Sequence, residues 1–596
     1  MRIPNRNFPG SLGLAAQAVL LAVIFSAAAD AATFSVTPST VSNTFVGTIT
    51  LQIGGLTNGE TVFVDHYVDL NTNGVLDAAD FSMGHFTLTD GQRSVIGGIT
   101  NLNVPGDSTA TDAVINASLN LFAPTPQWPV GIHLLRLSSP SGRFGSITNR
   151  LTITNWPYAQ SIGGVVKSGA TNVPNALVEF LSGANGGIAG GTVADNSGNY
   201  FLRTPPGSGT VVAFKSGYVM SGRISFSVPT NTAVTTNLTL LGATRSLSGR
   251  LMDSAKTNIG LPGILIFGQA AAGNVTGGTT DTNGNFTLPA TSDIWKLSLK
   301  EHSGGYWLGY TYASGNSGLS VDTTTGSVTT AYLTLTKGTA MFYGRIKNNA
   351  NVPMPGVKFS GYDQYVNQFG AAGWSDTNGN YTTATTTNNW SVQVASDDLI
   401  FHSFVVGSGN NGANLSSNQA VRVDFTAVPS TGVITGKVSS VSGPVAGLLI
   451  FGNSSDGINN YQSDAVTDAN GNYFFSVFNA NWNVQPNCNA NATDSLVGLG
   501  YNCTAGQNVN VFTASTRVDF FVYPLGTAVL SDPGWVGPGQ FGLTMSGTNG
   551  GNYYVQASTN LSNWATISNF ILSGSSNYIE DDDATNDVRF YRAVKQ

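Results

Sequence analysis

The chain has 596 residues, a net charge of −7 and only 10% charged residues, with 72 glycines. This length predicts several domains. The few charged residues are spread along the sequence and form no basic stripe, which excludes nucleic acid and anionic membranes as expected partners. A glycine-rich, polar composition of this kind is typical of extracellular β-modules.

Residues 1–32 have the pattern of a secretory signal peptide. Arg2 and Arg6 precede an apolar run from Leu12 to Ala29, and Ala29-Asp30-Ala31 fits a small-x-small cleavage site. No later run approaches the 18 apolar residues of a membrane-spanning helix. We therefore expect an exported protein that lies outside the cell or at its surface, with the periplasm as the other compartment left open.

Residues 33–157 are predicted to form an immunoglobulin-like β-sandwich, and they contain the best chemical motif of the chain. Oxygen-bearing side chains occupy positions 1, 3, 5, 9 and 12 of a twelve-residue stretch, with glycine at position 6, as in the loop of an EF-hand. Position 12 is Asp where an EF-hand has Glu, which is similar to dockerin-type loops. We predict one structural Ca²⁺; the alternative is a turn rich in Asp and Asn. The predicted ligands are the side chains of Asp69, Asn71, Asn73, Asp77 and Asp80 and the backbone carbonyl of Val75.

A hexamer of the form Asp-x-x-Gly-Asn-aromatic occurs four times, beginning at Asp195, Asp281, Asp376 and Asp468. The steps between copies are 86, 95 and 92 residues, which is one small domain each. The Asp and the Asn-Gly pair predict a tight turn of the hairpin type. A cation site is the alternative, although a four-residue loop offers too few oxygens for the 6–8 ligands of calcium.

Further positions recur around each hexamer. A glycine-centred alternating strand lies 31 or 32 residues before the Asp, and in three copies a Trp lies 14 residues after it. Short strands at even spacing predict an all-β sandwich. The glycines are Gly164, Gly249, Gly344 and Gly436, and the tryptophans are Trp295, Trp390 and Trp482.

This pattern resembles the carboxypeptidase regulatory-like domain, a transthyretin-like sandwich grouped with carbohydrate-binding-like folds. The resemblance covers four tandem repeats and implies a non-catalytic accessory role. The fold class is therefore all-β, a string of immunoglobulin-like and transthyretin-like β-sandwich modules. The repeats are assigned to residues 158–244, 245–339, 340–431 and 432–527.

Residues 528–596 form a further β-module with a Tyr-x-Val-Gln-x-Ser-Thr-Asn-Leu-x-x-Trp pattern found on exported proteins of environmental bacteria. The two cysteines, Cys488 and Cys503, both fall in the fourth repeat. In an exported protein an even pair predicts a disulfide, and two free buried thiols are the alternative.

The sequence contains no H-E-x-x-H, no G-x-S-x-G and no complete phosphate-binding loop. The five histidines are interpreted as scattered over separate domains, so that no zinc site and no enzyme activity are expected. Two hypotheses remain. The first is a glycan-binding or adhesive protein whose aromatic cluster stacks on sugar rings, and the second is a spacer that holds its ends apart. The cluster is Tyr306, Trp307, Tyr310 and Tyr312, and the alternative is that these rings fill a sandwich core.

Overall fold

The computed structural model describes residues 31–595 except 44, 121–127, 156–157, 183–186, 205–206, 300–307, 313–317, 364–369, 395–403, 409–410, 458–459, 490–491, 493, 513–514, 526–527 and 586–587. Regular secondary structure in this part of the chain is β-strand throughout, which confirms the all-β prediction. Nearly all of the predicted signal peptide lies outside the described residues. Within them, no helix has the length and apolar character needed to cross a membrane.

The N-terminal module is a sandwich of two sheets. Its strands are β1 (Thr33–Thr37), β2 (Thr40–Ser42), β3 (Thr48–Gly54), β4 (Thr61–Val68), β5 (Phe81–Thr89), β6 (Val95–Ile96), β7 (Ile99–Thr100), β8 (Ile115–Asn120), β9 (Gly131–Ser138) and β10 (Ile147–Thr154). One sheet has the order β1-β3-β8 and the other β2-β10-β9-β4-β5, while β6 and β7 form a separate hairpin. Alternating residues such as Ile49, Leu51 and Ile53 are fully buried between the sheets, as period-two patterning requires.

The first two repeats contain strands β11 to β28. Repeat 1 has β11 (Ser161–Ser168), β12 (Thr171–Asn172), β13 (Leu177–Ser182), β14 (Gly187–Val193), β15 (Asn199–Arg203), β16 (Gly207–Phe214), β17 (Tyr218–Met220), β18 (Ile224–Val228), β19 (Ala233–Thr235) and β20 (Leu238–Gly242). Repeat 2 has β21 (Arg245–Asp253), β22 (Leu265–Ala270), β23 (Val275–Thr279), β24 (Asn285–Ala290), β25 (Ile294–Leu299), β26 (Tyr310–Tyr312), β27 (Leu319–Asp322) and β28 (Val328–Lys337).

The last three modules contain strands β29 to β52. Repeat 3 has β29 (Ala340–Asn348), β30 (Lys358–Asp363), β31 (Gly370–Trp374), β32 (Asn380–Thr385), β33 (Asn388–Val394), β34 (Phe404–Ser408), β35 (Gly412–Leu415), β36 (Ala420–Arg422) and β37 (Phe425–Pro429). Repeat 4 has β38 (Gly432–Ser440), β39 (Gly443–Pro444), β40 (Leu449–Ser455), β41 (Asn460–Val466), β42 (Asn472–Val477), β43 (Ala480–Pro486), β44 (Gln507–Val511), β45 (Ser515–Arg517) and β46 (Phe520–Val522). The C-terminal module has β47 (Val529–Gly537), β48 (Gln540–Ser546), β49 (Asn552–Ser558), β50 (Ala565–Ile571), β51 (Ser576–Asp581) and β52 (Phe590–Lys595).

All four repeats have the same pairing. The first strand pairs antiparallel with the strand that follows the hexamer and parallel with the last strands of the unit, as in β11·β15 with β11·β20 and in β21·β24 with β21·β28. The second sheet has the orders β14-β13-β16-β18, β23-β22-β25-β27, β31-β30-β33-β35 and β41-β40-β43-β44.

The hexamer forms the same turn in every copy. In repeat 2, Asp281 Oδ1 accepts hydrogen bonds from the backbone N–H groups of Asn283 and Asn285, both at 2.8 Å, and Gly284 has a φ of 79°. The turn is therefore confirmed, with the Asp oxygen used by backbone donors. The hairpin expectation was wrong, because the turn carries the chain from β23 in one sheet to β24 in the other.

The recurrent glycine permits a close approach inside each sandwich. A Cβ at Gly249 would overlap the carbonyl oxygen of Ala331, and one at Gly436 would overlap that of Val518. In repeat 4 the hexamer aromatic, Tyr473, donates its hydroxyl to the same Val518 carbonyl at 2.6 Å. The two motifs, 37 residues apart in sequence, thus meet at one backbone carbonyl.

The modules also contact one another outside the order of the chain. Asn103 of the N-terminal module donates through Nδ2 to the carbonyls of Ala372 and Thr382 in repeat 3, at 3.2 and 2.9 Å. The backbone N–H of Leu102 donates to Thr382 Oγ1 at 2.8 Å. The string of sandwiches is therefore folded back at its N-terminal end.

Candidate functional site

The predicted calcium loop connects β4 to β5. Asp69 is fully buried, and its two carboxylate oxygens accept hydrogen bonds from the backbone N–H groups of Asn73, at 3.2 Å, and Gly74, at 2.7 Å. Gly74 has a φ of 74°, the left-handed conformation that position 6 of such a loop requires. The loop therefore turns where the motif predicts, around its first carboxylate.

The other predicted ligands form a hydrogen-bonded network in the same loop. Asp77 Oδ2 accepts from the side-chain amides of Asn71 and Asn73, both at 2.9 Å, and Asp80 Oδ2 accepts from the backbone N–H of Asp77. The second oxygen of Asp80 is buried without a hydrogen-bond partner. Burial raises the pKa of Asp80, and the carboxylates of Asp69 and Asp77 raise it further, against the backbone hydrogen bond from Asp77.

The structure thus brings the five side chains into one loop. Among the described residues, no group of three or more His, Cys, Asp or Glu side chains is arranged to hold a metal ion. The carbonyl residue Val75 is 63% exposed at the tip of the loop. The calcium site stays a prediction. The hydrogen bonds within the loop are those of the alternative interpretation, a turn rich in Asp and Asn.

Of the predicted aromatic cluster, the structure describes the side chain of Tyr310 alone. Tyr310 in β26 is 7% exposed, packs in the core of repeat 2 and donates its hydroxyl to Asp253 Oδ2 at 2.7 Å. A ring in this position cannot stack on a sugar in solution, so the assignment of Tyr310 as a ligand contact was wrong. Tyr312 ends the same strand, but its side chain is not among those described, and Tyr306 and Trp307 lie outside the described residues.

Cys488 and Cys503 are bonded to each other in the structure, with Cα atoms 5.6 Å apart. The bridge follows β43 and closes the segment that precedes β44. Asn487, next to Cys488, donates to Asp494 at 3.0 Å within the same segment. The bridge holds an irregular connection against the sheet.

The outer face of repeat 4 contains a groove of about 750 Å³ that the sequence did not single out. The four strands β41, β40, β43 and β44 form its floor, and side-chain amides line it. Alternating Asn residues at 481 and 483 and at 508 and 510 were visible in the sequence. Their convergence depends on which strands become neighbours. The lining residues are Asn453, Ser454, Ser455, Asn460, Tyr461, Gln462, Asn481, Trp482, Asn483, Asn508, Val509 and Asn510.

The histidines are less scattered than we expected, because three of the five lie in the N-terminal module. His66 Nε2 and His133 Nδ1 are 2.8 Å apart, both rings are fully buried, and His133 Nε2 donates to the carbonyl of Pro129 at 2.7 Å. Burial lowers the pKa of His133 to about 4, so the pair is neutral at physiological pH. This arrangement is an interior hydrogen-bond chain.

The third of these histidines, His85, lies in a partly buried hydrogen-bond and ion-pair network. Its Nδ1 is 2.6 Å from Asp65 Oδ1, and Arg136 donates to Asp65 Oδ2 at 2.8 and 3.0 Å. Burial alone would raise the pKa of Asp65, but the hydrogen bonds from His85 and Arg136 outweigh it and lower that pKa. Ser82 lines the same cleft. Among the described residues no hydrogen bond joins Ser82 to His85, so the Ser hydroxyl lacks the contact that would activate it.

No protein-family model matches the chain, and no curated protein matches it. Among solved structures, the Bacillus anthracis TIE protein is similar over 83% of this chain and 74% of its own, at 10% identity and a TM-score of 0.16. A streptococcal ancillary pilin is similar over 47% of this chain and 98% of its own, at 9% identity and a TM-score of 0.16. A DUF3823 family protein from Bacteroides ovatus covers 28% of this chain at 15% identity, with a TM-score of 0.13. TM-scores of this size transfer no function to the present chain.

Proposed function

We propose that the chain is an exported, non-catalytic protein that binds carbohydrate at or outside the cell surface, with four carboxypeptidase regulatory-like repeats as its framework. One observation carries this proposal, namely the exposed groove on repeat 4, which side-chain amides line. An amide offers two N–H donors and a carbonyl acceptor, and sugar hydroxyls need both. Convergent polar groups in a concave surface are the usual form of a small-ligand site.

The contacts between modules weigh against the spacer hypothesis. A spacer holds its ends apart, whereas the N-terminal module contacts repeat 3 through Asn103 and takes Ala372 and Trp374 of that repeat into its core cluster. Interfaces of this kind shorten the chain of modules. A compact arrangement of modules favours a protein that presents a binding surface over a spacer.

Calcium belongs to the same proposal as a structural ion. The loop from Asp69 to Asp80 has the ligand spacing, the turn at Gly74 and a buried carboxylate oxygen on Asp80 that lacks a partner. Extracellular modules of this kind bind calcium with a Kd of about 10⁻⁴–10⁻³ M, at which external calcium is sufficient. Its role would be to hold a loop whose carboxylates repel one another.

The proposed function is tested with the full mature chain on a microarray of plant, algal and bacterial polysaccharides. We expect retention on at least one polysaccharide and competition by the same material in solution. If the chain binds none of the polysaccharides while its circular dichroism shows folded β-structure, that result would contradict carbohydrate binding and favour the spacer hypothesis.

A further inference from the structure

The groove on repeat 4 contains a continuous row of amides across four strands. The register pairs Gln462 with Asn453, Asn453 with Asn483, and Asn483 with Asn508. Side chains directly opposite each other on neighbouring strands point to the same face of a sheet. Because strands are spaced about 4.8 Å apart, the row spans about 14 Å from its first to its last strand.

A second polar row runs beside the first, two residues along the strands. It pairs Ser455 with Asn460 and Asn481 with Asn510. Two residues of strand separate the rows by about 7 Å. The groove therefore has hydrogen-bonding groups along both of its sides, at a regular interval set by the sheet.

Several of these amides are available to a ligand. Gln462 and Asn508 are exposed, and Asn453 and Asn483 are half-buried. Asn483 Nδ2 donates to Asn508 Oδ1 at 2.8 Å. Among the described residues, the side chains of Asn453 and Gln462 have no hydrogen-bond partner, so a ligand would gain these bonds without breaking others.

Charge and ring exposure restrict the chemistry of the ligand. None of the twelve described lining residues carries a charge. The two aromatic residues among them are core residues, since Tyr461 is 7% and Trp482 1% exposed. A charged ligand would lose its hydration without an opposite charge in return, and stacking would need an exposed ring. A neutral ligand rich in hydroxyl groups fits both restrictions.

We infer that this groove binds a neutral, linear, extended polysaccharide that runs across the four strands with one sugar ring per strand. The inference rests on the proposed carbohydrate binding and adds the site, the class of glycan and its direction. An extended sugar chain advances by close to one strand spacing per ring. The amide row therefore meets each successive ring at an equivalent position.

Repeat 2 supplies a natural comparison at the equivalent face. There the register places Gln269 opposite Lys296 and Lys296 opposite Ser320, and the three side chains are exposed. The lysine interrupts the neutral row with a charge. We expect this face not to bind polysaccharide, so Lys296→Ala is a matched control for substitutions on repeat 4.

The test titrates the full mature chain with neutral oligosaccharides from disaccharide to hexasaccharide, in β-1,4-gluco, β-1,3-gluco, manno and xylo series, and with an anionic galacturonate series. For at least one neutral series, affinity should rise up to the tetrasaccharide and then level off, because four strands offer four positions. Asn483→Ala should weaken binding about tenfold, which corresponds to 1.4 kcal/mol. Asn508→Ala changes an exposed residue of the edge strand and gives the same readout if Asn483→Ala perturbs the sheet. Lys296→Ala should leave affinity unchanged.

Each remaining outcome decides a separate point. Binding to polysaccharide that survives Asn483→Ala and Asn508→Ala in folded protein would overturn the groove as the site, while carbohydrate binding itself would stand. A preference for the galacturonate series, or affinity that keeps rising to the hexasaccharide, would overturn the neutral class or the one-ring-per-strand geometry. Failure to bind any series, including the polysaccharides of the microarray, would remove the proposed function as well.

Discussion

At the scale of single residues, Glu179 in β13 is the clearest departure from ordinary solution chemistry. Its side chain is fully buried opposite Val212 and Gly191, and burial raises its pKa from 4.5 to about 8. The folded state therefore holds a proton that the unfolded state releases above its own pKa of 4.5. By linkage, this residue makes the fold less stable as the pH rises from 4.5 towards 8.

The corresponding substitution, Glu179→Gln, keeps the shape and removes the titration. We expect it to stabilise the protein by on the order of 2–4 kcal/mol at pH 8 and by much less at pH 5. Thermal melts of the full chain at both pH values measure this, with exposed Glu580→Gln as the matched control. A variant that melts at or below the wild-type temperature at pH 8 would show that the carboxylate ionises without cost in the folded protein.

The two cysteines form the second prediction at this scale. Mass spectrometry of peptides from the non-reduced chain should recover Cys488 linked to Cys503. A loop of this length stabilises by about 3 kcal/mol in the chain-entropy model. Reductant should therefore lower the melting temperature of repeat 4, and free thiols in the untreated protein would contradict the bridge.

At the scale of elements, residue types predicted the hexamer turn because its hydrogen bonds are local: the backbone N–H groups two and four residues on donate to the Asp carboxylate. They did not predict that the turn changes sheets, since the outgoing strand β24 pairs with the distant strand β21, in which Gly249 lies opposite Phe286. The amide row on repeat 4 was missed for the same reason, because it depends on long-range strand pairing. Strand patterning predicts which side chains share a face, but neighbouring strands are set by long-range pairing.

The hexamer glycine gives a prediction at this scale. Gly284 has a φ of 79°, and a Cβ there would overlap the carbonyl oxygen of Leu251. Gly273, in the same repeat, has a φ of 93° with open space around it. Gly273→Ala should cost about 1–2 kcal/mol through its backbone conformation alone. Gly284→Ala should cost more, because the overlap adds to the same backbone strain. Equal melting temperatures for the two variants would argue against the close approach.

The calcium loop is the second element with a direct test. If the ion binds only the folded loop, it stabilises by about 1.4 kcal/mol at tenfold excess over its Kd. Chelator should lower the melting temperature of the N-terminal module. The effect should extend to repeat 1, because Val68 and Leu70 at the start of the loop pack in its core cluster. Asp80→Asn should remove the dependence on calcium. Identical melts of the wild type in millimolar calcium and in chelator would leave the loop as a turn without a metal.

At the scale of the whole molecule, a string of modules followed from the repeats, whereas the contacts between distant modules did not. Asn103 and the Thr382 carbonyl that it reaches are 279 residues apart, and nothing local in either segment indicates the other. The β6–β7 hairpin adds an apolar contact, in which Ile96 clusters with Met341 and Ala384 of repeat 3. Ala372 and Trp374 of repeat 3 also pack in the core cluster of the N-terminal module, so the interface is continuous with that core.

Ile96→Asp tests this interface, and Val95→Asp on the same hairpin is its matched control. Ile96 is 9% exposed against repeat 3, whereas Val95 is 47% exposed. A carboxylate at residue 96 would be buried without a partner, which weakens the interface, so the population with the N-terminal module detached from repeat 3 should rise. Small-angle X-ray scattering should then show a larger radius of gyration for Ile96→Asp and an unchanged one for Val95→Asp. If the wild type already scatters as an extended string, and Ile96→Asp leaves the curve unchanged, the modules do not fold back in solution and a spacing role regains its support.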